Sequence, residues 1–143
     1  LYAEHKDAAV CREGYTPFDE VLKQADIVTL HCPLTETTKN LINAETLSKM
    51  KKGAFLINTG RGPLIDELAL VDALKTGHLG GAALDVMVKE PPEKDNSLIL
   101  AAKTMPNLII TPHIAWASDS AVTTLVGKVM QNIEEFVQQL NQK

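Results

Sequence analysis

Short apolar or β-branched runs alternate along the chain with stretches whose apolar residues recur at helical spacing. Residues 18–25 (FDEVLKQA) have that spacing and follow Thr16-Pro17, a start signal, so they predict a helix. Residues 26–32 (DIVTLHC) read as a buried strand that Pro33 stops. Asn43 is placed to cap a short helix running through Met50, and Gly53 breaks it before a second apolar strand at 54–59. Asp66 stands where an N-cap belongs, ahead of ELALVDALKT, and Gly77 stands where a C-terminal glycine belongs. Residues 82–86 and 108–111 supply two further strands. From about Ser118 to Leu140 runs the clearest helix, with Val122, Leu125, Val126, Val129, Met130, Ile133, Phe136, Val137 and Leu140 forming a continuous apolar stripe.

Strands of unbroken apolar character that alternate with helices predict a parallel sheet with helices on both faces, a doubly wound α/β fold. In such folds ligands bind beyond the carboxyl ends of the strands. Those ends carry Glu4, then His31-Cys32-Pro33, then Asn58-Thr59-Gly60-Arg61-Gly62, then Asp85, then Thr111-Pro112-His113. Ionisable side chains at successive strand ends point to chemistry on that edge, since a purely structural sheet more often finishes in Gly, Asn and Ser.

Composition narrows the options. The 143 residues are 45% apolar and 22% charged, enough for one domain with a core. The formal charge of −4 and the pI near 5.5 argue against binding a nucleic-acid backbone, which draws on a basic patch. No apolar run approaches the ~18–20 residues of a membrane span. Cys11 and Cys32 are the only cysteines and fit neither a disulfide framework nor a zinc pattern, so reduced thiols in the cytoplasm are expected and no metal site.

Each strand-end residue has a structural reading beside the functional one. Arg61 could pair with any surface acid. Flanked by Gly60 and Gly62, however, it sits where backbone can approach a ligand, and its guanidinium can hold a carboxylate by paired hydrogen bonds. His113 follows Pro112, which holds Thr111 extended and fixes the strand's end. Glu90, before Pro91-Pro92 in the loop after the Asp85 strand, shares that rim; a carboxylate on one ring nitrogen would orient the imidazole and leave the other free to donate. Its plain alternative is membership of a solvated KEPPEKD run. Asp85 either faces a ligand or caps a loop amide. His31 reads equally as a satisfied structural histidine, and Cys32 as a nucleophile needs a depressed pKa. Glu4, one acid after a short stub, says nothing alone.

In this order the segments LHCPLTETTKNLIN (30–43), LINTGRGPLIDELALVDALKTGHLGGAALDV (56–86), Glu90-Pro91-Pro92 and TPHIAWAS (111–118) resemble the nicotinamide-binding portion of the D-isomer-specific 2-hydroxyacid dehydrogenases. The resemblance covers essentially the whole chain, and TPHIAWAS and LYAEHK look most like the glycerate (hydroxypyruvate) dehydrogenases. It implies a catalytic trio: Arg61 to hold the 2-oxo acid's carboxylate and polarise its carbonyl, His113 to donate the proton, and Glu90 to keep His113 oriented and basic. NAD is the implied cofactor, with a small 2-oxo or 2-hydroxy acid as substrate and a homodimer as the assembly. Asp85, with His113 and Ala115, is implied near the nicotinamide. His31, Cys32 and Pro33 and the loop of Asn58, Thr59 and Gly60 are implied beside the dinucleotide. Glu4 matches the acid that binds the adenosine ribose and favours NAD over NADP, a preference that the neighbouring His5 and Lys6 weaken. Ala115-Trp116 stand where the family often has Gly-Gly, so the indole would narrow the substrate site.

The same resemblance puts the G-x-G-x-x-G loop and first strand upstream of Leu1, which makes LYAEHK the end of a second strand. The expectation is then that residues 1–116 are the later part of a dinucleotide-binding domain, with a gap between the Leu1–Ala3 stub and the strand at 26–32. Residues 117–143 would be a helix packing toward a substrate domain. The isolated 143 residues are expected neither to bind NAD tightly nor to turn over. A non-catalytic dinucleotide-sensing or partner-binding module on the same scaffold is the alternative function, and a flavodoxin-like phosphate-binding domain a plainer one. Arg61, Glu90 and His113 together favour the enzyme.

Overall fold

The computed structural model describes residues 1–141. Strand β1 (Ile27–Leu30), β2 (Phe55–Asn58), β3 (Gly81–Leu84) and β4 (Leu108–Ile110) form one sheet in the order β1-β2-β3-β4, and every neighbouring pair is parallel. Parallel neighbours need crossovers, and the chain supplies α2 (Ala44–Lys49), α3 (Glu67–Lys75) and α4 (Ser97–Ala102) between them, with α1 (Phe18–Gln24) preceding β1. The result is the Rossmann-like parallel sheet with packed helices that the alternation predicts.

The register explains the core. Val28, Leu56, Ala82 and Leu108 lie side by side across the sheet and all are buried. They join Leu22, Leu47, Leu70, Val71, Leu74 and Leu98 from the helices in a single cluster. Full burial of a Leu side chain contributes roughly 1.5–3 kcal/mol, so this one layer accounts for much of the sheet's stability. On the opposite parity Ile27, Phe55 and Ile109 are half or more exposed.

Local polar chemistry sets the helix starts. The Asn43 side chain accepts from the backbone N–H groups of Glu45 and Thr46, while the Thr46 hydroxyl accepts from the Asn43 N–H, closing a capping box on α2. Asp66 accepts from Leu68 and Ala69 at the start of α3. Gly77 ends that helix at φ 69°, a conformation open to glycine at little cost. Helix α4 lies outside the elements that the sequence pattern predicts. Its Asn96 cap, which accepts from Leu98 and Ile99, was the available signal, hidden behind a charged Pro-rich run.

The stub at Leu1–Ala3 is reduced to a single parallel bridge between Ala3 and Thr16. The hydrogen bonds Glu4 N–H to Thr16 C=O and Thr16 N–H to Tyr2 C=O, both 2.8 Å, hold it. This small ladder stands apart from the four-stranded sheet, which begins at β1.

The chain divides into two compact units, Leu1–Pro112 and His113–Lys143. The second contains α5 (Asp119–Asn141), close to the expected 118–140. Ser118 opens this helix, its hydroxyl accepting from Ala121 N–H and its carbonyl from Val122 N–H. The apolar stripe from Val122 to Leu140 is exposed along its whole length.

Candidate active site at the strand ends

Parallel pairing in register brings the last strand residues level. Leu30, Asn58, Leu84 and Ile110 are cross-strand partners, so the loops starting at His31, Thr59, Asp85 and Thr111 leave the sheet along one edge. Hydrogen bonds stitch that edge together. Asp85 N–H donates to Asn58 C=O, and Thr111 N–H to Leu84 C=O, each at 2.9 Å. The Thr111 hydroxyl donates a short hydrogen bond to Asp85 Oδ1. Asp85 is buried, so its carboxylate is an acceptor fixed under the edge.

Asn58 organises the loop that carries Arg61. Its side chain is fully buried; Nδ2 donates to Arg61 C=O at 2.9 Å and Oδ1 accepts from Gly60 N–H at 3.0 Å. The turn is thereby folded around one amide. Gly62 follows, with its backbone against Met87: a Cβ there would lie 2.0 Å from the Met87 carbonyl carbon and oxygen. Met87 N–H in turn donates to Glu90 Oε1 at 2.8 Å. The Arg61 and Glu90 loops are therefore packed directly on each other, a contact that only glycine at 62 permits.

Arg61 itself is exposed. Its guanidinium makes one hydrogen bond, Nη1 to Gly60 C=O at 2.7 Å, which bends it over its own loop and leaves its remaining N–H groups for a carboxylate. His31 is exposed, with Nε2 and the Thr29 hydroxyl 2.9 Å apart. Cys32 is half-buried, and burial pushes its thiol pKa up, so it is a poor nucleophile. Pro33 C=O accepts from the Thr38 hydroxyl at 2.7 Å, and Thr59 is exposed at the β2 end.

His113 opens the second unit at φ 55°, left-handed geometry that costs most side chains strain and that His adopts more readily than bulky residues. Its carbonyl accepts from the Trp116 indole N–H at 2.8 Å, which folds residues 113–116 into a turn containing Ala115. Arg61 and Glu90 thus lie in one unit and His113 in the other.

Glu4 behaves unlike the rest. It is buried, and both carboxylate oxygens bond to Arg12 and to neighbouring backbone. The Arg12 hydrogen bonds, then those from the His5 and Arg12 backbone N–H groups, hold its pKa down at about 2. Arg12 is the residue that sequence reasoning missed, because a pairing eight residues apart within a loop has no periodicity to betray it. Among the described residues no group of three His, Cys, Asp or Glu is placed to hold a metal ion.

Residues 2–115 match the family described as D-isomer specific 2-hydroxyacid dehydrogenase, NAD binding domain. The chain belongs to this family. The chain is 97% identical, over all 143 residues, to 45% of a Haemophilus influenzae protein named "Putative 2-hydroxyacid dehydrogenase". It is 51% identical to a glycerate dehydrogenase of Methylorubrum extorquens over 88% of this chain and 40% of that protein. The NAD-complexed D-isomer specific 2-hydroxyacid dehydrogenase of Lactobacillus delbrueckii ssp. bulgaricus superposes with a TM-score of 0.80 and 38% identity, over 87% of this chain and 40% of that one. The chain thus spans less than half the length of the dehydrogenases it matches.

Proposed function

We propose that these residues work in an NAD-dependent oxidoreductase that interconverts a small D-2-hydroxy acid and its 2-oxo acid, with glycerate and hydroxypyruvate as the pair. The observation that carries this reading is the strand-end edge itself, where Asn58 fixes the turn of an under-bonded Arg61 beside the loop of Glu90 and the adjacent strand leads into the buried Asp85. The 51% identity to a glycerate dehydrogenase supports the choice of acid.

The polar groups along this edge suit the nicotinamide side of a dinucleotide: the turn of Thr59 and Gly60 that Asn58 folds, a fixed carboxylate acceptor at Asp85, and the His31–Pro33 loop on the neighbouring strand end. When bound, the cofactor supplies or accepts the hydride. The protein's part is alignment and charge. Arg61 holds the substrate carboxylate through paired N–H donors and draws electron density from the adjacent carbonyl. His113 gives a proton to the carbonyl oxygen in reduction and takes it back in oxidation. Glu90 acts on His113, keeping the ring oriented and charged; Ala115 and Trp116 follow in the same turn, where the indole trims the space for substrate. Residues 1–116 are read as the later part of a dinucleotide-binding domain and the segment from residue 117, whose last two residues lie outside the described ones, as packing through α5 toward a substrate domain. The assembly is read as a homodimer, and the free Cys11 and Cys32 suit a reducing cytoplasm.

The test is His113→Gln in the full-length protein carrying these residues, assayed as hydroxypyruvate-dependent oxidation of NADH. Loss of the proton donor lowers kcat by about 10²–10⁴-fold while leaving NADH affinity intact. Unchanged turnover would remove His113 from its role, and nucleotide binding without turnover in the unmodified protein would favour the sensing module instead.

A further inference from the structure

Glu67 is the first residue of α3, a position where the helix dipole favours an acid. The helix start does not otherwise need it, because Asp66 already accepts from the Leu68 and Ala69 N–H groups. Both partners of the Glu67 carboxylate lie outside α3. Oε1 accepts from Val88 N–H at 2.8 Å, and Oε2 accepts from Asn96 Nδ2 at 2.9 Å. One side chain thereby holds both ends of the loop between β3 and α4, at residues 21 and 29 positions further along the chain.

Glu90 stands just past Val88, inside the span that Glu67 fastens. Successive amides at the start of that span serve two carboxylates: Met87 N–H donates to Glu90 Oε1 and Val88 N–H to Glu67 Oε1, both at 2.8 Å. Peptide units are planar, so fixing one amide constrains the direction of its neighbour. The Gly62 backbone packs against the same peptide, where a Cβ would lie 2.5 Å from Val88 N. At the far end Asn96 has two roles: its Oδ1 accepts from the Leu98 and Ile99 N–H groups that start α4, while its Nδ2 donates to Glu67. Residues 88–95 are exposed, so apolar packing does not hold them. Their anchorage is polar.

Resting on the roles read above for Glu90 and His113, we propose that Glu67 is a positioning residue: by clamping Val88 and Asn96 it sets the loop that presents Glu90, and it acts on turnover through Glu90 alone. The clamp springs from the helix that follows the Arg61 turn, so it also ties the loop of the substrate-binding guanidinium to the loop of the acid. A residue of this kind changes kcat and leaves KM for NADH where it was.

Kinetics of the full-length protein in two backgrounds test this. Glu67→Ala is expected to lower kcat for hydroxypyruvate reduction by about tenfold or more in the unmodified protein, and by less than about twofold once Glu90→Gln is present. Equal losses in the two backgrounds make Glu67 a stabilising residue only and overturn the proposal, as does an unchanged kcat in Glu67→Ala. A reversed clamp covers the case in which the alanine variant fails to fold. Glu67→Gln alone keeps an acceptor for Val88 but sets its amide donors against those of Asn96. Adding Asn96→Asp restores a donor–acceptor pair, and an Asp still caps α4. The single change is expected to lower kcat and the pair to recover most of it. A fully active Glu67→Gln, or a pair no better than the single change, overturns the positioning role alone. An unchanged kcat in Glu90→Gln itself overturns the role read for Glu90, and this inference with it.

Discussion

Arg12 spends its guanidinium on a buried carboxylate, stacks on Tyr15 and closes a loop. Arg61 keeps a single hydrogen bond, to the carbonyl just before it, and stands exposed on a turn that a buried amide holds rigid. The two side chains are chemically identical. What separates them is the acid within reach: Glu4 lies under Arg12, whereas the acids near the Arg61 loop are occupied, Asp85 by Thr111 and Glu90 Oε1 by the Met87 amide. A guanidinium whose carboxylate partner is internal is structural first. One whose neighbours are already paired is available to a carboxylate from outside.

Removing Arg61 has the largest consequence. Arg61→Leu in the full-length protein is expected to cut kcat/KM for hydroxypyruvate by about 10²–10³-fold, with little change in thermal stability, because its side chain supports nothing internal. Arg61→Lys recovers only part of this, since an ammonium cannot make the paired contact. Activity within a few-fold of the unmodified protein in Arg61→Leu would place the substrate carboxylate elsewhere.

The rigidity of the Arg61 turn can be broken separately. Asn58→Ala strands the part-buried Arg61 carbonyl and Gly60 N–H at the β2 end, at a cost of about 1–3 kcal/mol. A denaturant midpoint that falls with an unchanged slope would show that the native state alone is affected. An unaltered midpoint would mean that the turn holds itself without the amide.

These contrasts differ in how far they could be read from the residues alone. The strands and α1, α2, α3 and α5 were legible because period and caps agree: Asn43, Asp66 and Gly77 each do in the fold what their positions predict. The strand-end row was legible because parallel strands share a direction, so their C-terminal residues must collect on one edge. Helix α4 was not, since SLILAA is too short to show a helical period beside a Pro-rich run. The role of Gly62 was visible only in outline; that it admits the Met87 backbone needs the packing of two loops distant in sequence. Least legible was the Glu4–Arg12 clasp. Glu4 could be assigned as a strand-end acid by pattern, but whether an acid is free depends on what folds over it, and Arg12 reaches it from an irregular loop.

The smallest effect expected is the one that isolates this clasp. With its pKa held at about 2, Glu4 stays ionised far into acid, whereas its ordinary value is 4.5. A carboxyl whose folded pKa is depressed contributes stability in full above the unfolded value and loses it as pH falls through the folded one. The contribution of Glu4 is therefore present above about pH 4.5 and fades toward pH 2. In Arg12→Ala the largest cause of the shift is gone, so the Glu4 carboxyl is expected to titrate at higher pH. The stability difference from the unmodified protein should be widest near neutrality and close as pH approaches 2. Carboxyl-carbon NMR of Glu4 reads the first effect, and denaturant midpoints across the acid range read the second. Arg12 is half exposed, so added salt should shrink both. A Glu4 titration that stays near 2 in Arg12→Ala would assign the shift to the His5 and residue-12 backbone amides, and would leave Arg12 free to serve as Arg61 does.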